Sequence, residues 1–211
     1  MKIAGVTALV TGANRGLGRA YAQALLARGA SRVYGGARNP ATVTDEGVLP
    51  VELDITDPAQ VARAAEQCGD VTLLINNAGI LSGDARAEME VNYFGTMAVS
   101  RAFAPRLADG ALVNVLSVLS WISLPNAGTY AASKSAAWNL TNSLRAELRA
   151  QGTLVVGVHA AFIDTDMAAR VNAPKISPDE VVAQTLDAIE AGREEVLADQ
   201  LTRDVKAGLA G

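Results

Sequence analysis

Short apolar runs alternate along the chain with stretches in which apolar residues recur every three or four positions. The runs cover residues 6–10, 32–36, 48–53, 71–76, 111–116, 154–159 and 196–198. Helical patterns extend to about Arg28, from Pro58, up to Leu107, after Tyr130 and after Pro178. Several runs are apolar at successive positions, so both of their faces must be covered, which is the condition of parallel strands flanked by helices. The alternation predicts an α/β fold, a doubly wound parallel sheet of Rossmann-like type with helices on both faces. At Asp57-Pro58 and Ser177-Pro178 a capping side chain precedes a proline at the first helical position. No linker, repeat or composition shift divides the pattern, so residues 1–211 read as a single domain.

Composition narrows the partners. Half of the residues are hydrophobic (50%), enough for a sizeable core, and disorder is not expected. The apolar runs are strand-length, so none reads as a membrane span, and the short apolar stretch after Lys2 makes a poor signal peptide. A cytoplasmic location is the default expectation. The single cysteine, Cys68, has no internal disulfide partner, which suits a reducing compartment, and it reads as a small helix residue. A formal charge of −4 without a basic cluster argues against nucleic acid or an anionic membrane as partner. A small-molecule ligand is favoured instead, and no metal site is expected.

In a doubly wound sheet the ligand lies across the carboxyl ends of the strands, so the residues that follow each strand carry the information. After the first strand comes Gly12-Ala13-Asn14-Arg15-Gly16-Leu17-Gly18, opening an alanine- and leucine-rich helix. Backbone amides and the positive end of a helix dipole converge there, a place for a phosphate. Gly12 lets the strand turn, Gly16 lets backbone approach a pyrophosphate and Gly18 lets the helix pack close. By itself the spacing G-x-x-x-G-x-G is equally compatible with an ordinary tight turn. After the second strand comes Ala37-Arg38-Asn39, where a free ribose 2′-hydroxyl would call for an acid; the nearest acids, Asp45 and Glu46, lie well into the loop. Arg38, joined by Arg15, suits a 2′-phosphate instead. Asp54, after the third strand, can accept from an adenine amino group or cap its own turn. Asn76-Asn77-Ala78-Gly79, after the fourth, can tie neighbouring strands together and leave bare backbone for a nucleotide, or form an ordinary Asn-Gly-type turn.

The chemistry concentrates in residues 117–134. Tyr130 and Lys134 are four apart on one helix face, about 5–6 Å between Cβ atoms. A free tyrosine has a pKa near 10, but an ammonium about 4–6 Å away favours the phenolate and is expected to lower it by about 1–3 units. Ser117 follows the fifth strand and can hold a substrate oxygen while Tyr130 transfers the proton. A Tyr-x-x-x-Lys pair alone would read as a surface helix pair.

Together these residues resemble the short-chain dehydrogenase/reductase family over nearly the whole chain. The matching stretches are Thr11-Gly12-Ala13-Asn14-Arg15-Gly16-Leu17-Gly18, Asp54, Asn76-Asn77-Ala78-Gly79, Asn92 within Val91-Asn92-Tyr93-Phe94-Gly95, Ser117, Tyr130 with Lys134, and Ile163-Asp164-Thr165-Asp166-Met167. The resemblance implies a hydride-transferring oxidoreductase in which Tyr130 is the general acid/base and Ser117 orients the carbonyl. Lys134 then holds the ribose and lowers the tyrosine pKa, and Asn92 supports a proton-relay water. Ser120 and Ser123 also lie near Tyr130, but Ser117 directly follows the strand and matches the family's spacing to the tyrosine. The implied cofactor-binding residues are Gly12, Asn14, Arg15, Gly16, Leu17, Gly18, Arg38, Asp54, Ile55, Asn77, Ala78, Gly79, Ile163 and Thr165, with Tyr130 and Lys134. NADP(H) is the preferred cofactor, with NAD(H) still possible, and the substrate is a small carbonyl compound or alcohol. Leu119, Trp121, Phe162 and Trp138 suggest an apolar pocket, although either tryptophan could equally be core or interface. Asn172-Ala173-Pro174 leaves room only for a small lid, so an open site is expected. The helices expected at 92–107 and 130–149 commonly form the subunit interface in the family, which implies a homodimer or homotetramer.

Two features depart from the family pattern. Ala160-Ala161 stands where Pro-Gly is usual, altering the backbone near the nicotinamide without removing a catalytic group. Only residues 80–91 separate Gly79 from Asn92, so either the helix usually built there is trimmed or residues are absent from the sequence as given. His159, the only histidine, ends a strand beside the pocket and is read as structural, since Tyr130 already fills the acid/base post. The competing reading is a catalytically silent dinucleotide-sensing or scaffolding protein of the same fold. Intact Ser117, Tyr130, Lys134 and Asn92 speak against it.

Overall fold

A computed structural model of the chain describes residues 1–209. Seven parallel strands form one sheet: β1 (Thr7–Thr11), β2 (Arg32–Ala37), β3 (Val48–Glu52), β4 (Leu73–Asn76), β5 (Ala111–Val115), β6 (Leu154–His159) and β7 (Glu195–Leu197). Their order is β3-β2-β1-β4-β5-β6-β7, so the winding reverses between β1 and β4. The register sets Thr11 against Gly36, Asn76 against Asn114 and His159 against Leu197. The carboxyl ends of the central strands therefore open side by side, and the crevice at the reversal is where a ligand fits.

Successive strand residues face opposite sides of the sheet, and both sides are apolar. Val10, Ile75, Val113 and Val156 pack into one core with Leu17, Tyr21 and Leu25 of helix α1 (Gly16–Ala27) and Val181, Leu186 and Ile189 of α6 (Pro178–Glu190). Leu9, Leu74, Leu112 and Val155 pack on the other side. Their partners there are Val61 of α2 (Pro58–Gln67), Val99 and Phe103 of α4 (Thr96–Phe103), and Leu140 and Leu144 of α5 (Gly128–Leu148). The doubly wound sheet predicted from the apolar runs is the fold observed.

The caps form where expected. Asp57 accepts from the amides of Ala59 and Gln60, and Ser177 and Glu180 make a reciprocal capping box. Several boundaries differ. The strand expected at 71–76 begins at Leu73, and the helix expected to reach Leu107 ends at Phe103 in a 3-10 turn, Ala104–Arg106. Helix α5 begins at Gly128, which puts Tyr130 inside its first turn. Residues 80–91 close as a trimmed element: a five-residue helix, α3 (Ala85–Met89), capped by Asp84, runs into a π-turn over Glu90–Gly95 and on into α4. A final helix, α7 (Gln200–Gly208), was not expected from the apolar pattern; it is mostly polar and is started by Asp199, whose side chain accepts from Thr202 N. Among the described residues no helix is long and apolar enough to cross a membrane.

Candidate active site

The glycine turn after β1 is built by steric necessity. Gly12 and Gly16 have φ of +66° and +51°, in the left-handed region that side chains rarely adopt. Gly18 is helical, but a Cβ there would lie 2.1 Å from Gly12 O, so only glycine lets α1 seat against the turn. Leu17 is buried, Asn14 half-buried and Arg15 exposed. Helix α1 starts without a side-chain cap, leaving its first amides unclaimed by the protein's own side chains.

Across the reversal of the sheet, Thr11 Oγ1 accepts from the backbone N of both Asn77 and Ala78 at 3.0 Å. Asn77 Nδ2 donates to Thr11 O (2.9 Å) and Gly12 O (3.3 Å). The Asn-Asn-Ala-Gly stretch thus ties β4 to β1. Asn76 extends the link, donating to Ser100 Oγ and Asn114 Oδ1 at 2.9 Å each, and Asn114 donates on to Thr141 of α5. Neither Thr11 as a double acceptor nor Ser100 was picked out as a site residue; the position of Thr11 at a strand end was the available signal.

Asn92 lies in the π-turn. It grips residue 80 from both sides, accepting from Ile80 N and donating to Ile80 O, each at 2.9 Å, and it also donates to Ser133 Oγ at 2.9 Å. Ser133 in turn donates to Tyr130 O at 2.7 Å. This buried serine beside Lys134, also missed, joins the Asn92 turn to the tyrosine helix. Glu88 completes the short connection: it is fully buried and its Oε1 accepts from Ser82 N (2.7 Å) and Gly83 N (2.8 Å). Burial opposes its ionisation, but the Thr129 hydroxyl beside it and these two amides outweigh that and hold the carboxyl below its ordinary value, while Oε2 stays without a well-formed hydrogen bond.

Tyr130, Ser117 and Lys134 converge. The Ser117 side chain lies beside the Tyr130 hydroxyl and acts to lower its pKa, and Lys134 Nζ lies 5.7 Å from the tyrosine ring centroid. Lys134 is buried and donates to Val115 O at 2.9 Å. A Cβ added to Gly79 would fall 3.5 Å from that ammonium and 3.1 Å from Asn92 Oδ1, so the strand end, the asparagine and the lysine face one space. Ser120 Oγ accepts from Ser117 N, which commits it to the turn, while Ser123 is exposed; Ser117 is the serine that meets the tyrosine.

The expected lowering of the Tyr130 pKa is corrected. Although part of the residue reaches solvent, burial around the hydroxyl raises it to about 12, opposed by the neighbouring Ser117 side chain, with the Glu88 charge adding to the rise. Burial also lowers Lys134 to about 8. The pair spacing alone does not reveal the cost of desolvating a phenolate, which dominates here.

The mouth of the cleft holds the remaining candidates. Arg38 is exposed, and no ion pair forms to it among the described residues. Arg15 pairs with Asp166 at 3.5 Å across the opening. Asp45 is turned away, bonded by Arg19 and Gln23 of α1. Asp54 adopts the turn role: its Oδ1 accepts from Thr56 N (3.0 Å) and Oγ1 (2.7 Å). Ile55 is buried, tightly apposed to Gly95. Beyond β6, Ile163 bridges to Ile176, and Thr165 lies where a Cβ on Gly16 would come within 3.4 Å.

Of the alternatives open for the tryptophans, pocket, core or interface, the structure shows packing against the body of the fold and α7. Trp121 stacks on buried His159 at 4.0 Å and meets Trp138 edge-on at 6.3 Å, with Lys206 Nζ 4.5 Å from the Trp121 ring. They clasp α7 to the body of the fold. Leu119 is buried with Val118 and Ala131, against which Tyr130 and Ala161 pack, and exposed Leu81, Leu124 and Met167 follow β4, β5 and β6. His159 is structural as expected: its Nδ1 faces Ser117 O at 3.1 Å, although Nε2 has no hydrogen-bond partner.

This cleft fits a dinucleotide. Glycine backbone lines it where φ is positive at Gly16 or a Cβ on Gly79 would crowd Asn92, an uncapped helix N-terminus offers amides to phosphate, and two guanidinium groups stand at its mouth. A parallel sheet with that turn at its reversal and a Tyr-Lys pair beside it has the architecture of a nucleotide-linked oxidoreductase. The short chain dehydrogenase family model matches residues 6–176. A short chain dehydrogenase from Burkholderia cenocepacia, solved in complex with NADP, is 45% identical and superposes with a TM-score of 0.96, covering 100% of this chain and 95% of that one. The 3-oxoacyl-[acyl-carrier-protein] reductase FabG of Vibrio harveyi is 32% identical over 215 residues, 92% of this chain and 85% of the relative. An NADPH-bound carbonyl reductase from chicken fatty liver is 27% identical, with a TM-score of 0.81 over 88% of this chain and 91% of that one. This chain belongs to the short-chain dehydrogenase/reductase family of oxidoreductases.

Proposed function

We propose that this protein is an NADP(H)-preferring oxidoreductase that interconverts a ketone or aldehyde and an alcohol. The observation that carries the reading is the buried Lys134 ammonium 5.7 Å from the Tyr130 ring, facing the same space as Gly79 and Asn92, with Ser117 beside the tyrosine hydroxyl. The dinucleotide, when bound, supplies or takes the hydride at the carbonyl carbon. Ser117 orients the substrate oxygen. Tyr130, a neutral phenol at physiological pH, donates its proton to that oxygen as the hydride arrives, and in the reverse direction the phenolate takes it back. Lys134 holds the ribose and offsets the charge left on the phenolate. Asn92, which fixes the turn at residue 80, supports the water that returns a proton to the site.

Gly12, Asn14, Gly16, Leu17 and Gly18 receive the pyrophosphate and Arg15 and Arg38 the 2′-phosphate. Asp54 and Ile55 border the adenine, Asn77, Ala78 and Gly79 the adjoining ribose, and Ile163 and Thr165 the nicotinamide. The exposed Leu81, Leu124 and Met167 favour an apolar substrate. We place the protein in the cytoplasm, as a homodimer or homotetramer. A panel of apolar ketones and aldehydes, followed by NADPH absorbance, tests the assignment: substrate-dependent oxidation is expected, and cofactor binding without oxidation across the panel would leave the silent-binder reading standing.

A further inference from the structure

The β6–β7 ladder ends at His159 and Leu197, after which Ala198 N still donates to His159 O at 2.9 Å. One residue later the backbone of β7 turns away into α7, yet the pairing continues through a side chain. Asp199 Oδ2 accepts from Ala161 N at 2.8 Å while its Oδ1 accepts from Thr202 N at 2.8 Å. One carboxylate therefore starts the last helix and supplies the next rung of the sheet. Ala161 lies in the Ala160-Ala161 departure from Pro-Gly, and it packs on the same small cluster as Tyr130. On the other edge, Val118 N donates to Ala160 O at 2.9 Å. The chain next becomes anchored at Phe162 and Ile163, through Ile176.

We infer that Asp199 is a positioning residue that, through Ala161 N, fixes the backbone at residues 160–163 against the reacting end of the cofactor. The inference rests on the dinucleotide reading of the cleft proposed above. Its physical basis is that Ala161 N–H, half-buried, has this carboxylate oxygen as its acceptor. Without it the amide seeks another partner and the strand end shifts. The two amides lie on separate segments and are met by different oxygens of the carboxylate, and a serine hydroxyl, with one oxygen a bond nearer the backbone, occupies only one of those two positions.

Asp199→Ser separates the two roles, because serine retains the cap to Thr202 and gives up the tether. Two ligands read the outcome by calorimetry: NADPH, and 2′-phospho-ADP-ribose, which lacks the nicotinamide. In Asp199→Ser, affinity for the fragment stays within about twofold and affinity for NADPH falls by about tenfold. Amide exchange accelerates at residues 160–163 while α7 keeps its wild-type protection. Equal loss for both ligands, no loss for either, or faster exchange confined to α7 would overturn the inference, since each is what a purely structural cap gives. If the unaltered protein binds both ligands but reduces no carbonyl, the catalytic reading fails while the NADPH-to-fragment ratio still decides the role of Asp199. Binding of neither ligand overturns both.

Discussion

Tyr130 illustrates how much of one residue's chemistry is local. Its four-residue spacing to Lys134 and the position of Ser117 at a strand end are written in the sequence, and the fold brings the three groups together. The protonation state is not local. It depends on how much water the packing of Ala131, Leu119 and Ala161 removes, and that burial leaves a phenol, the form needed to protonate a carbonyl oxygen. Tyr130→Phe deletes the donor and keeps the ring, so turnover with the best carbonyl should fall by about 100-fold or more with NADPH affinity nearly unchanged. Parallel rate and calorimetric measurements check this, and near wild-type turnover refutes the role. Arg38 stands exposed after β2 with no acid directly beside it in sequence, and we propose it as a ligand of a 2′-phosphate. On that proposal a 2′-phosphate would gain charge-assisted hydrogen bonds from Arg15 and Arg38 that a hydroxyl would not, reduced by exposure at the rim. NADPH should exceed NADH by roughly tenfold in kcat/KM, about 1.4 kcal/mol, and Arg38→Asp should narrow or reverse the ratio. A wild-type preference for NADH would sink the arginine reading.

At the scale of elements, the strands and the capped helices were readable because their signals are short-range: doubly apolar runs, Asp57-Pro58, and Ser177-Pro178 with Glu180. Helix α7 escaped because its apolar face is narrow and it is held by contacts distant in sequence, Lys206 on Glu195 and Trp121 and Asp199 on Ala161. The closure of residues 80–91 escaped for the same reason, since it depends on Glu88 folding back onto the amides of Ser82 and Gly83. The tryptophans were ambiguous from composition, and only the position of α7 decides that they are a clasp. The turn at Gly12 and the close seat of Gly18 were legible, and the seat yields a sharp expectation. In Gly18→Ala the new methyl would sit 2.1 Å from Gly12 O and 2.5 Å from Asn77 Nδ2, so α1 must move off the turn. Dinucleotide affinity should fall by at least about tenfold, because the helix N-terminus no longer faces the cradle, while far-UV circular dichroism keeps the α/β signature. Unchanged affinity would mean that the α1 seat does not form the phosphate site.

The molecule as a whole stores a pH dependence at the junction of β5, β6 and β7. His159 is fully buried there, its Nδ1 directed at Ser117 O and its ring stacked on Trp121. Burial lowers its pKa to about 4, and the nearby charges of Lys206 and Arg145 act in the same direction, while the Ser117 carbonyl and Glu195 oppose them. Between that value and the ordinary one near 6.5 the unfolded chain binds a proton that the folded chain refuses, so acidification through this window favours unfolding. The stabilisation from keeping His159 neutral is complete above about pH 6.5 and is lost as pH falls toward 4. At about 1.4 kcal/mol per unit the loss is on the order of 3 kcal/mol. Asp45, Asp57, Glu88 and Glu180, whose pKa values are also lowered, lose stability in the same direction but below the ordinary carboxylate range, so the interval from about pH 4.5 to 6.5 belongs to the chain's only histidine. His159→Asn places an amide donor near Ser117 O without a group that titrates there. It should be less stable than wild type at pH 7, yet its urea-unfolding free energy should stay nearly flat from pH 6.5 to 4.5 where that of wild type declines. Parallel slopes for the two proteins in that interval would show that His159 does not govern the acid response.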